Sequence, residues 1–311
     1  MREVASLQRT VKGITFPYPV MVAGGVVKTV EQSIKFAKAD VLAEFGSATT
    51  PALAGNGGRD YFAVYDNGAL VCTYNSIGLL NRGMDYVEEH ASELIKTHAD
   101  YGKPFWLNVS GNGVEDTLSL LKRAVQAGIK VITVNGACPN KKDQPILCDD
   151  PFAVDEVFDR ADREIGDIDA VVLWKVSCAM RRPALSHNRD RVRASRVFTG
   201  AITGNTIPNG LGYIGTGATV IKTANGIDRG GLAGPAIFPI ALDHTQFMAE
   251  GMPAGKVVLG AGGVNNIEKT SQMFKAGATM VQINSAFREA NEDPNFIRDL
   301  NLGLLELPDA V

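Results

Sequence analysis

Residues 131–140 read VITVNGACPN, and this stretch places a polar turn directly after a buried strand. The β-branched run at 131–134 is typical of a parallel strand buried on both faces, and a glycine and a proline then end it. Barrels and open α/β sheets bind their ligands at the carboxyl ends of such strands. Asn135, Cys138 and Asn140 are therefore predicted to face a ligand together, although an isolated cysteine is also commonly a small buried residue.

Length and composition fit one large α/β domain with a full core. The chain has 311 residues, of which 45% are hydrophobic, and its formal net charge is −3. Because α/β barrels exceed the usual domain size, residues 1–311 are interpreted as a single domain. The near-neutral charge argues against a nucleic-acid partner, and the basic cluster at 181–196 is interpreted as a solvated or interface helix.

Cysteine usage and hydropathy predict the compartment. Cys72, Cys138, Cys148 and Cys178 are widely spaced and form no CxxC pair. This spacing argues against a zinc site, an iron–sulfur cluster or a disulfide framework, so no metal is predicted and a reducing cytosol is expected. The N-terminus has no apolar h-region, and no stretch reaches the roughly 20 apolar residues of a membrane span. A soluble, cytoplasmic protein without a membrane partner is expected.

Short apolar runs alternate with longer amphipathic stretches along the chain. Strands are predicted near 20–23, 41–45, 105–109, 131–134, 170–175, 197–202, 257–260 and 280–283. Helices are predicted around 29–38, 86–99, 114–127, 151–164, 238–250, 266–276 and 294–303. Eight strands with intervening helices predict an α/β fold of the (β/α)8, or TIM, barrel type. A doubly wound sheet is the alternative, but no GxGxxG follows the first strand.

The segment after the second strand, residues 46–85, is too long for a simple crossover. It contains VYDNGALV, with a hairpin signal at residues 66–68. A hairpin inserted at the carboxyl face of the barrel is predicted to form a lid over its mouth.

Glycine-containing turns follow the seventh and eighth strands, in GAGGV at 260–264 and QINSA at 282–286. In barrels these two loops commonly bind phosphate, because glycines let backbone N–H groups approach an anion. Plain turns are the alternative. The phosphate could belong to a sugar phosphate or to FMN.

Lysines and amides at the strand ends bear on that choice. Lys175 ends the fifth strand, where a charge is improbable as core but well placed to reach a polar ring or an anion, and Lys28 follows the first strand similarly. Asparagines in the contexts YNSIG, VNGAC, CPNKK and GNTIP each offer a donor and an acceptor. Such a cluster suits a planar ligand with alternating N–H and C=O edges, such as a pyrimidine.

The chain resembles the dihydroorotate dehydrogenases over nearly its whole length. The resemblance depends on the order and spacing of EFGSATTPALAGN at 44–56, NSIGLLNRGMD at 75–85, NGACPN at 135–140, the strand lysine Lys175, GNT at 204–206, VIKTANG and GGLAGPAI between 220 and 237, LGAGGV at 259–264 and VQINSA at 281–286. The family is an FMN-containing (β/α)8 barrel that oxidises dihydroorotate to orotate in pyrimidine biosynthesis. The resemblance therefore implies FMN as cofactor and dihydroorotate as substrate.

The same resemblance assigns roles to residues of this chain. Substrate would be bound by Asn75, Asn135, Asn140, Asn205 and Thr206. FMN would be bound by Ala23, Gly24, Lys28, Gly46, Ser47, Asn108, Lys175, Gly234, Gly262, Gly263, Asn284 and Ser285. Cys138 would be the catalytic base, taking a proton from the carbon beside a carbonyl while the neighbouring carbon gives hydride to the flavin N5, and Lys175 would stabilise the reduced flavin.

The residue before the proline of NGACPN separates the family's classes. Soluble members carry cysteine there, whereas membrane-associated, quinone-using members carry serine and a long N-terminal extension. Cys138 therefore resembles the soluble type. The loop CPNKKDQPILCDD and Lys222 resemble the homodimeric branch that uses fumarate, so a homodimer and fumarate as electron acceptor are expected.

The chain departs from the family pattern at several positions. Gly46 stands where the soluble classes usually have a lysine. In this respect the chain resembles the membrane class, which supplies its flavin lysine from a position close to Lys28. Ala137 lacks the usual hydroxyl, residues 176–178 replace the customary prolines, and the arginine-rich HNRDRVRASR replaces an apolar crossover helix. A relative acting on another cyclic amide or an enone-type substrate is therefore an alternative.

Two hypotheses from other classes also remain open. One is a non-redox barrel enzyme that uses the phosphate site for its substrate and Lys175 for a Schiff base. The other is a pseudoenzyme or assembly protein in which the turn around Cys138 is structural. Flavin absorbance of the purified protein separates both from an FMN enzyme.

Overall fold

The structure is a computed structural model that describes residues 4–138 and 146–307. Eight parallel strands close into a barrel. Their bounds are β1 Val20–Val27, β2 Leu42–Ala48, β3 Trp106–Val109, β4 Val131–Asn135, β5 Val171–Lys175, β6 Phe198–Ile202, β7 Val257–Ala261 and β8 Met280–Ile283. Each predicted strand overlaps one of these, and β8 pairs with β1 to complete the circle. The prediction of a (β/α)8 barrel is confirmed.

Helices surround the barrel. Their bounds are α1 Val30–Lys38, α2 Gly83–Asp100, α3 Gly113–Gln126, α4 Pro151–Glu164, α5 Arg182–Ala194, α6 Phe238–Ala249, α7 Ile267–Lys275, α8 Ser285–Glu289 and α9 Pro294–Gly303. Short 3-10 helices lie at Val4–Leu7, Leu147–Asp149 and Pro235–Ile237. The seven predicted helices are all found. The short α8 is additional, and the basic segment at 181–196 contains α5.

Local sequence explains where several helices begin. α1 starts with a capping box, in which the Thr29 side chain accepts from the Gln32 backbone and the Gln32 side chain accepts from the Thr29 backbone. α4 begins with Pro151 after Asp150, whose carboxylate accepts from the backbone N–H groups of residues 152 and 153. These caps satisfy N–H groups that a helix leaves without partners at its start.

The helix α5 is arginine-rich because its charges pair within the protein. Arg182 donates to both carboxylate oxygens of Asp243 at 2.9 and 2.7 Å, and Arg191 pairs with Asp159. The guanidinium groups of Arg182 and Arg189 lie 4.2 Å from the ring centroid of Phe247. The basic cluster is therefore a solvated helix face balanced by acids of α4 and α6, and exposed pairs of this kind stabilise a fold only slightly.

The amino end of the barrel is closed by a hairpin that the sequence analysis did not predict. Its strands are Arg9–Val11 and Ile14–Phe16, joined by Lys12 and Gly13, both with positive φ. Phe16 is buried, and its ring centroid lies 5.5 Å from that of Trp106 inside the barrel. The lower interior is thus filled with apolar side chains, which leaves the carboxyl end for polar groups.

The predicted lid is part of a larger sheet. Strands Tyr61–Asp66 and Ala69–Asn75 form a hairpin whose two turn residues, Asn67 and Gly68, have φ of 46° and 78°. Two strands from the segment after β6, Ile207–Gly210 and Gly230–Ala233, extend it to four strands. The hairpin prediction is confirmed, and its pairing with a distant segment makes the roof of the mouth.

No helix within the described ranges is long and apolar enough to cross a lipid bilayer.

Candidate active site

The carboxyl ends of β4 and β6 hold two of the predicted amides against each other. Asn135 Oδ1 accepts from Asn205 Nδ2 at 3.2 Å and from the Ala137 backbone N–H at 3.2 Å. Asn205 Nδ2 also donates to the Ala137 carbonyl at 3.3 Å, and Asn205 Oδ1 accepts from the Thr206 backbone N–H at 2.8 Å. In the described part of the chain Asn135 Nδ2 makes no hydrogen bond, so it can donate to a ligand.

Cys138 differs from the other three cysteines in its exposure. Its side chain is partly exposed, whereas Cys72, Cys148 and Cys178 are buried. Burial raises the pKa of each of these three thiols, that of Cys178 to about 12. These three are therefore held as neutral thiols, and Cys138 is the cysteine that solvent and small molecules can reach. The predicted Asn140 lies outside the described residues.

Lys175 ends β5 directly beside Asn135, with which it is paired in the parallel ladder. Its side chain is buried, with 7% exposure. Among the described residues its Nζ has neither a hydrogen bond nor an ion pair. Because an unpaired buried ammonium is unfavourable, this arrangement suits a site that binds a ligand with acceptor atoms.

A layer of polar side chains lies inside the barrel below the mouth. Glu44 is fully buried, and its Oε2 accepts from the Gly24 backbone N–H at 2.6 Å. Among the described residues, three acceptor oxygens of this layer are buried without a partner: Glu44 Oε1, Asn108 Oδ1 and Gln282 Oε1. Buried polar atoms normally have hydrogen bonds, so these oxygens indicate that a molecule with donor groups completes the site.

Gly46 is a glycine because no larger residue fits there. Its φ is 114°, and a Cβ would lie 2.5 Å from the Asn108 carbonyl oxygen. A lysine could not occupy this position without moving β3. Lys28 instead extends from the end of β1, and its Nζ donates to the Leu80 carbonyl at 2.6 Å.

Lys28 is electrostatically coupled to the thiol of the β4 turn. Burial, and after it the charge of Arg288, lower the pKa of its ammonium, whereas Cys138 and Asp60 raise it, and together they hold this pKa at about 8. A lysine with this pKa changes its charge at mildly alkaline pH. The state of Lys28 therefore affects the charge around Cys138 in the pH range where a thiol itself ionises.

Three of the predicted glycines form a tight backbone cradle beside the start of α6. Gly234, Gly262 and Gly263 have φ of 81°, 117° and 74°. A Cβ on Gly263 would lie 2.7 Å from the Phe238 backbone nitrogen and 2.8 Å from the Gly234 carbonyl oxygen. Glycine is thus required at 263, because its backbone packs directly against that of residues 234 and 238.

The turn after β8 joins the lid to β1. Asn284 Nδ2 donates to the Gly24 carbonyl at 2.9 Å, and Ser285 Oγ lies 3.0 Å from Thr73 Oγ1 of the lid hairpin. Nearby, Tyr61 donates to Glu289 at 2.7 Å. The predicted Asn284 and Ser285 therefore connect β1 with the lid hairpin.

The remaining predicted residues lie around the same mouth. Asn75 Nδ2 donates to the Gly231 carbonyl at 3.3 Å, and Gly231 is packed so closely against Thr206 that a Cβ there would overlap its side chain. Ser47 is buried at the carboxyl end of β2, and Ala23 is buried in β1 directly after Val22, which pairs with the last residue of β8. Every predicted residue within the described ranges thus lies on the carboxyl side of the barrel or in its lid.

Comparison with known proteins agrees with this geometry. The sequence profile described as dihydroorotate dehydrogenase matches residues 6–306. The chain belongs to the dihydroorotate dehydrogenase family. The catalytic subunit of dihydroorotate dehydrogenase B (NAD(+)) from Anoxybacillus flavithermus is 30% identical over 304 residues, which cover 95% of this chain and 90% of that protein. The dihydroorotate dehydrogenase (fumarate) of Trypanosoma brucei brucei is 27% identical over 311 residues, covering 97% and 93%.

A solved structure of the dihydroorotate dehydrogenase family shares the fold. The ligand-free DHODH of Eimeria tenella aligns with a TM-score of 0.78 at 18% identity, over 96% of this chain and 87% of that one. Family membership and barrel architecture are therefore both established for this protein.

The sequence analysis quoted Glu44 and Gln282 within family motifs but gave them no role, and it did not consider Arg288. Period-two alternation could have found the first two, because Leu42 and Glu44, or Met280 and Gln282, point to the same side of a strand. A polar residue two positions after an apolar residue that points into the barrel predicts a polar layer inside the barrel near the carboxyl ends of its strands. Nothing local marks Arg288, which donates to the Gly25 carbonyl at 2.7 Å.

Proposed function

We propose that this member of the dihydroorotate dehydrogenase family oxidises dihydroorotate to orotate with FMN. The observation that carries the proposal is the group of Asn135, Asn205, Cys138 and Lys175 at the barrel mouth, within a chain that matches the family along 6–306. Amides suited to a pyrimidine edge, a reachable thiol and an unpaired cation are the groups that this oxidation needs.

FMN fits the residues that are present. The flavin ring offers N–H donors and carbonyl acceptors, which complement the unpaired oxygens of Asn108 and Gln282 and the ammonium of Lys175. The phosphate is assigned to the glycine cradle beside the start of α6, because glycine turns and helix starts bind anions. The proposed cofactor site consists of Ala23, Gly24, Lys28, Gly46, Ser47, Asn108, Lys175, Gly234, Gly262, Gly263, Asn284 and Ser285. When bound, FMN supplies the acceptor for the substrate's hydride.

The proposed substrate site consists of Asn75, Asn135, Asn205 and Thr206, together with Asn140 from outside the described ranges. Asn205 orients Asn135 by donating to its Oδ1, which directs the free Nδ2 of Asn135 toward a ligand carbonyl. Lid and barrel contribute to the same site, since Asn75 belongs to the hairpin and Asn205 follows β6. A planar ring bound between them would be shielded from water.

Cys138 is the proposed base. Its thiolate takes the proton from the carbon next to a carbonyl, while hydride leaves the neighbouring carbon. The ammonium of Lys28 favours the thiolate, because the two groups are coupled and of opposite charge. Lys175 is the proposed partner of the negative charge that develops on the cofactor side.

The electron acceptor is a small molecule in this proposal, and fumarate is favoured. The family relatives include proteins named for fumarate and for NAD(+). The loop CPNKKDQPILCDD and Lys222 resemble the fumarate-using branch, which also supports a cytoplasmic homodimer.

A second candidate is an FMN enzyme for a different cyclic amide or enone-type compound. Gly46 and Ala137 favour it, because Gly46 replaces the lysine that is usual in the soluble classes and Ala137 lacks the usual hydroxyl. A Gly46→Lys substitution would not restore the usual lysine without moving the neighbouring backbone, because a Cβ at residue 46 would overlap the Asn108 carbonyl oxygen.

The test is spectroscopic. The purified protein is expected to show flavin bands, to bleach when dihydroorotate is added anaerobically, and to recover colour with fumarate. Orotate should perturb the spectrum of the oxidised form. A flavin-loaded protein that neither bleaches with dihydroorotate nor responds to orotate would favour the second candidate. A protein that cannot be loaded with FMN would contradict both.

A further inference from the structure

The helix α5 buries one amide in an otherwise charged helix. Its buried residues are Leu185, Asn188 and Val192, which form one face, and Asn188 is only 1% exposed. An aliphatic side chain is the expected occupant of such a position. A buried amide persists only when its hydrogen bonds are made, so its partners indicate what it does.

Asn188 joins three segments of the chain. Its Oδ1 accepts from the Trp174 indole Nε1 at 2.6 Å, and its Nδ2 donates to the Cys148 carbonyl at 2.9 Å and to the Ala184 carbonyl at 2.8 Å. Trp174 directly precedes Lys175 on β5, and Cys148 lies in the 3-10 helix Leu147–Asp149. The amide therefore fixes a strand and a turn relative to α5.

Both of the distant partners of Asn188 bear on Gly136, two residues before Cys138. The Cys148 backbone N–H donates to the Gly136 carbonyl at 2.9 Å. The Trp174 ring lies against the other side of Gly136, where a Cβ would be 2.5 Å from Trp174 Cζ2. Gly136 thus has little freedom to move, because a hydrogen bond and a ring hold it from two directions.

We propose that Asn188 is a positioning residue that holds the turn of residues 135–138 so that the Asn135 amide and the Cys138 thiol face the barrel mouth. It contacts neither substrate nor cofactor and acts through Trp174, Cys148 and Gly136. The proposal rests on the proposed function only in assigning a catalytic use to the turn; the positioning itself is a property of the fold.

The chain offers a matched control in Asn301 of α9. That amide is also 1% exposed, donates to the carbonyl four residues earlier in its helix at 3.1 Å, and bonds to a barrel strand through Val20 at 3.0 Å. Val20 lies at the amino end of β1, away from the mouth. Asn188→Leu and Asn301→Leu therefore remove similar hydrogen bonds from opposite ends of the barrel.

The first readout is the rate at which iodoacetamide alkylates Cys138 as pH is varied, followed by mass spectrometry of the Cys138 peptide. The other three thiols are buried and serve as internal references. Asn188→Leu is expected to change the alkylation rate of Cys138 by about threefold or more, or to shift the pH at which this rate is half-maximal. The reason is that the reactivity of a thiol depends on the charges and solvent around it. Asn301→Leu should leave the rate as in the wild type.

The second readout is steady-state kinetics of the FMN-loaded enzyme with dihydroorotate. Asn188→Leu should lower kcat by about tenfold or more, since small displacements of a catalytic group are costly, with a smaller change in KM. Asn301→Leu should lower the melting temperature comparably and leave kcat within about twofold. Trp174→Phe removes the indole N–H together with the ring atoms that lie against Gly136, so it should also lower kcat and alter the alkylation of Cys138, and it replaces Asn188→Leu if that variant does not fold.

The outcomes separate the two proposals. Equal melting-temperature losses in the two leucine variants, with wild-type alkylation of Cys138 in both, would overturn the positioning role. If Asn188→Leu alters alkylation while Cys138→Ala still reduces its flavin at the wild-type rate, positioning stands and the role of Cys138 as base fails.

Discussion

Replacement of Gly263 by alanine tests the cofactor cradle with a built-in comparison at Gly13. Both glycines have nearly the same positive φ, 74° at Gly263 and 75° at Gly13. At either position an L-residue costs about 1 kcal/mol for its left-handed conformation. Gly13 has nothing within 4 Å of its Cβ position, whereas Gly263 faces the Phe238 nitrogen at 2.7 Å and the Gly234 oxygen at 2.8 Å. Forced overlap of this kind adds about 1–3 kcal/mol.

The free energies of unfolding of the two variants should therefore differ by about 2 kcal/mol. Their affinities for FMN should differ as well. The strain at residue 263 can be relieved only by moving Gly234 or the start of α6. Because these segments form the proposed phosphate site, the dissociation constant for FMN should rise about 30-fold, given that 1.4 kcal/mol corresponds to a factor of 10. Gly13→Ala should bind FMN as the wild type does.

The assay is titration of each apoprotein with FMN, followed by quenching of flavin fluorescence, together with melting curves with and without FMN. Melting without FMN separates loss of stability from loss of cofactor affinity. If Gly263→Ala binds FMN as tightly as Gly13→Ala does, the phosphate does not lie against this turn and the assignment of Gly262 and Gly263 is wrong.

Four further predictions concern substrate, base, charge and acid stability. Cys138→Ala should keep FMN and orotate binding but slow anaerobic flavin reduction by about 100-fold in stopped flow, while Cys178→Ser should differ little; a wild-type rate in Cys138→Ala would make the thiol a packing residue. Asn205→Ala should weaken the binding of orotate by about 1–3 kcal/mol in a spectral titration, without loss of FMN. An unchanged affinity for orotate would show that Asn205 does not belong to the substrate site. Because the pKa of Lys28 is lowered to about 8, flavin reduction should decline as its ammonium deprotonates above that pH, and Lys28→Met should lack this decline; an identical pH profile in both would exclude Lys28. Burial, and after it Lys103, lower the pKa of His98 to about 4, so the folded protein holds a neutral imidazole. The free energy of unfolding should therefore fall by about 3 kcal/mol as pH falls from roughly 6.5 to 4. Chemical denaturation of His98→Gln should lack this pH dependence, and its persistence in the variant would assign it to another group.

Much of the barrel could be predicted because its signals are local. The β-branched run at 131–134 and the Asn67-Gly68 turn each specify their own conformation through neighbouring residues. The pairing of Ala69–Asn75 with Gly230–Ala233 could not be predicted in this way, since the two segments are far apart in sequence and the second is too glycine-rich to show strand periodicity.

The residues of the candidate site also fall into those with a local sequence signal and those without one. Asn135 and Cys138 sit in a turn whose position follows from the strand before it, so their convergence could be predicted. Glu44 was missed as a site residue because one acidic residue in an apolar run is informative only when the inward face of the strand is known. The role of Asn188 could not be predicted at all, because its partners come from β5 and from the turn at 147–149.

The shared lid sheet has a kinetic consequence for turnover. Ala69–Asn75 is hydrogen-bonded on one side to Tyr61–Asp66 and on the other to Gly230–Ala233, so the hairpin cannot swing open alone without breaking that second ladder. Gly230–Ala233 continues into Gly234 of the cradle, which ties any outward motion of the roof to the cofactor site. Filling the cradle should therefore slow amide hydrogen exchange in both lid segments together, and product escape should be governed by one concerted opening.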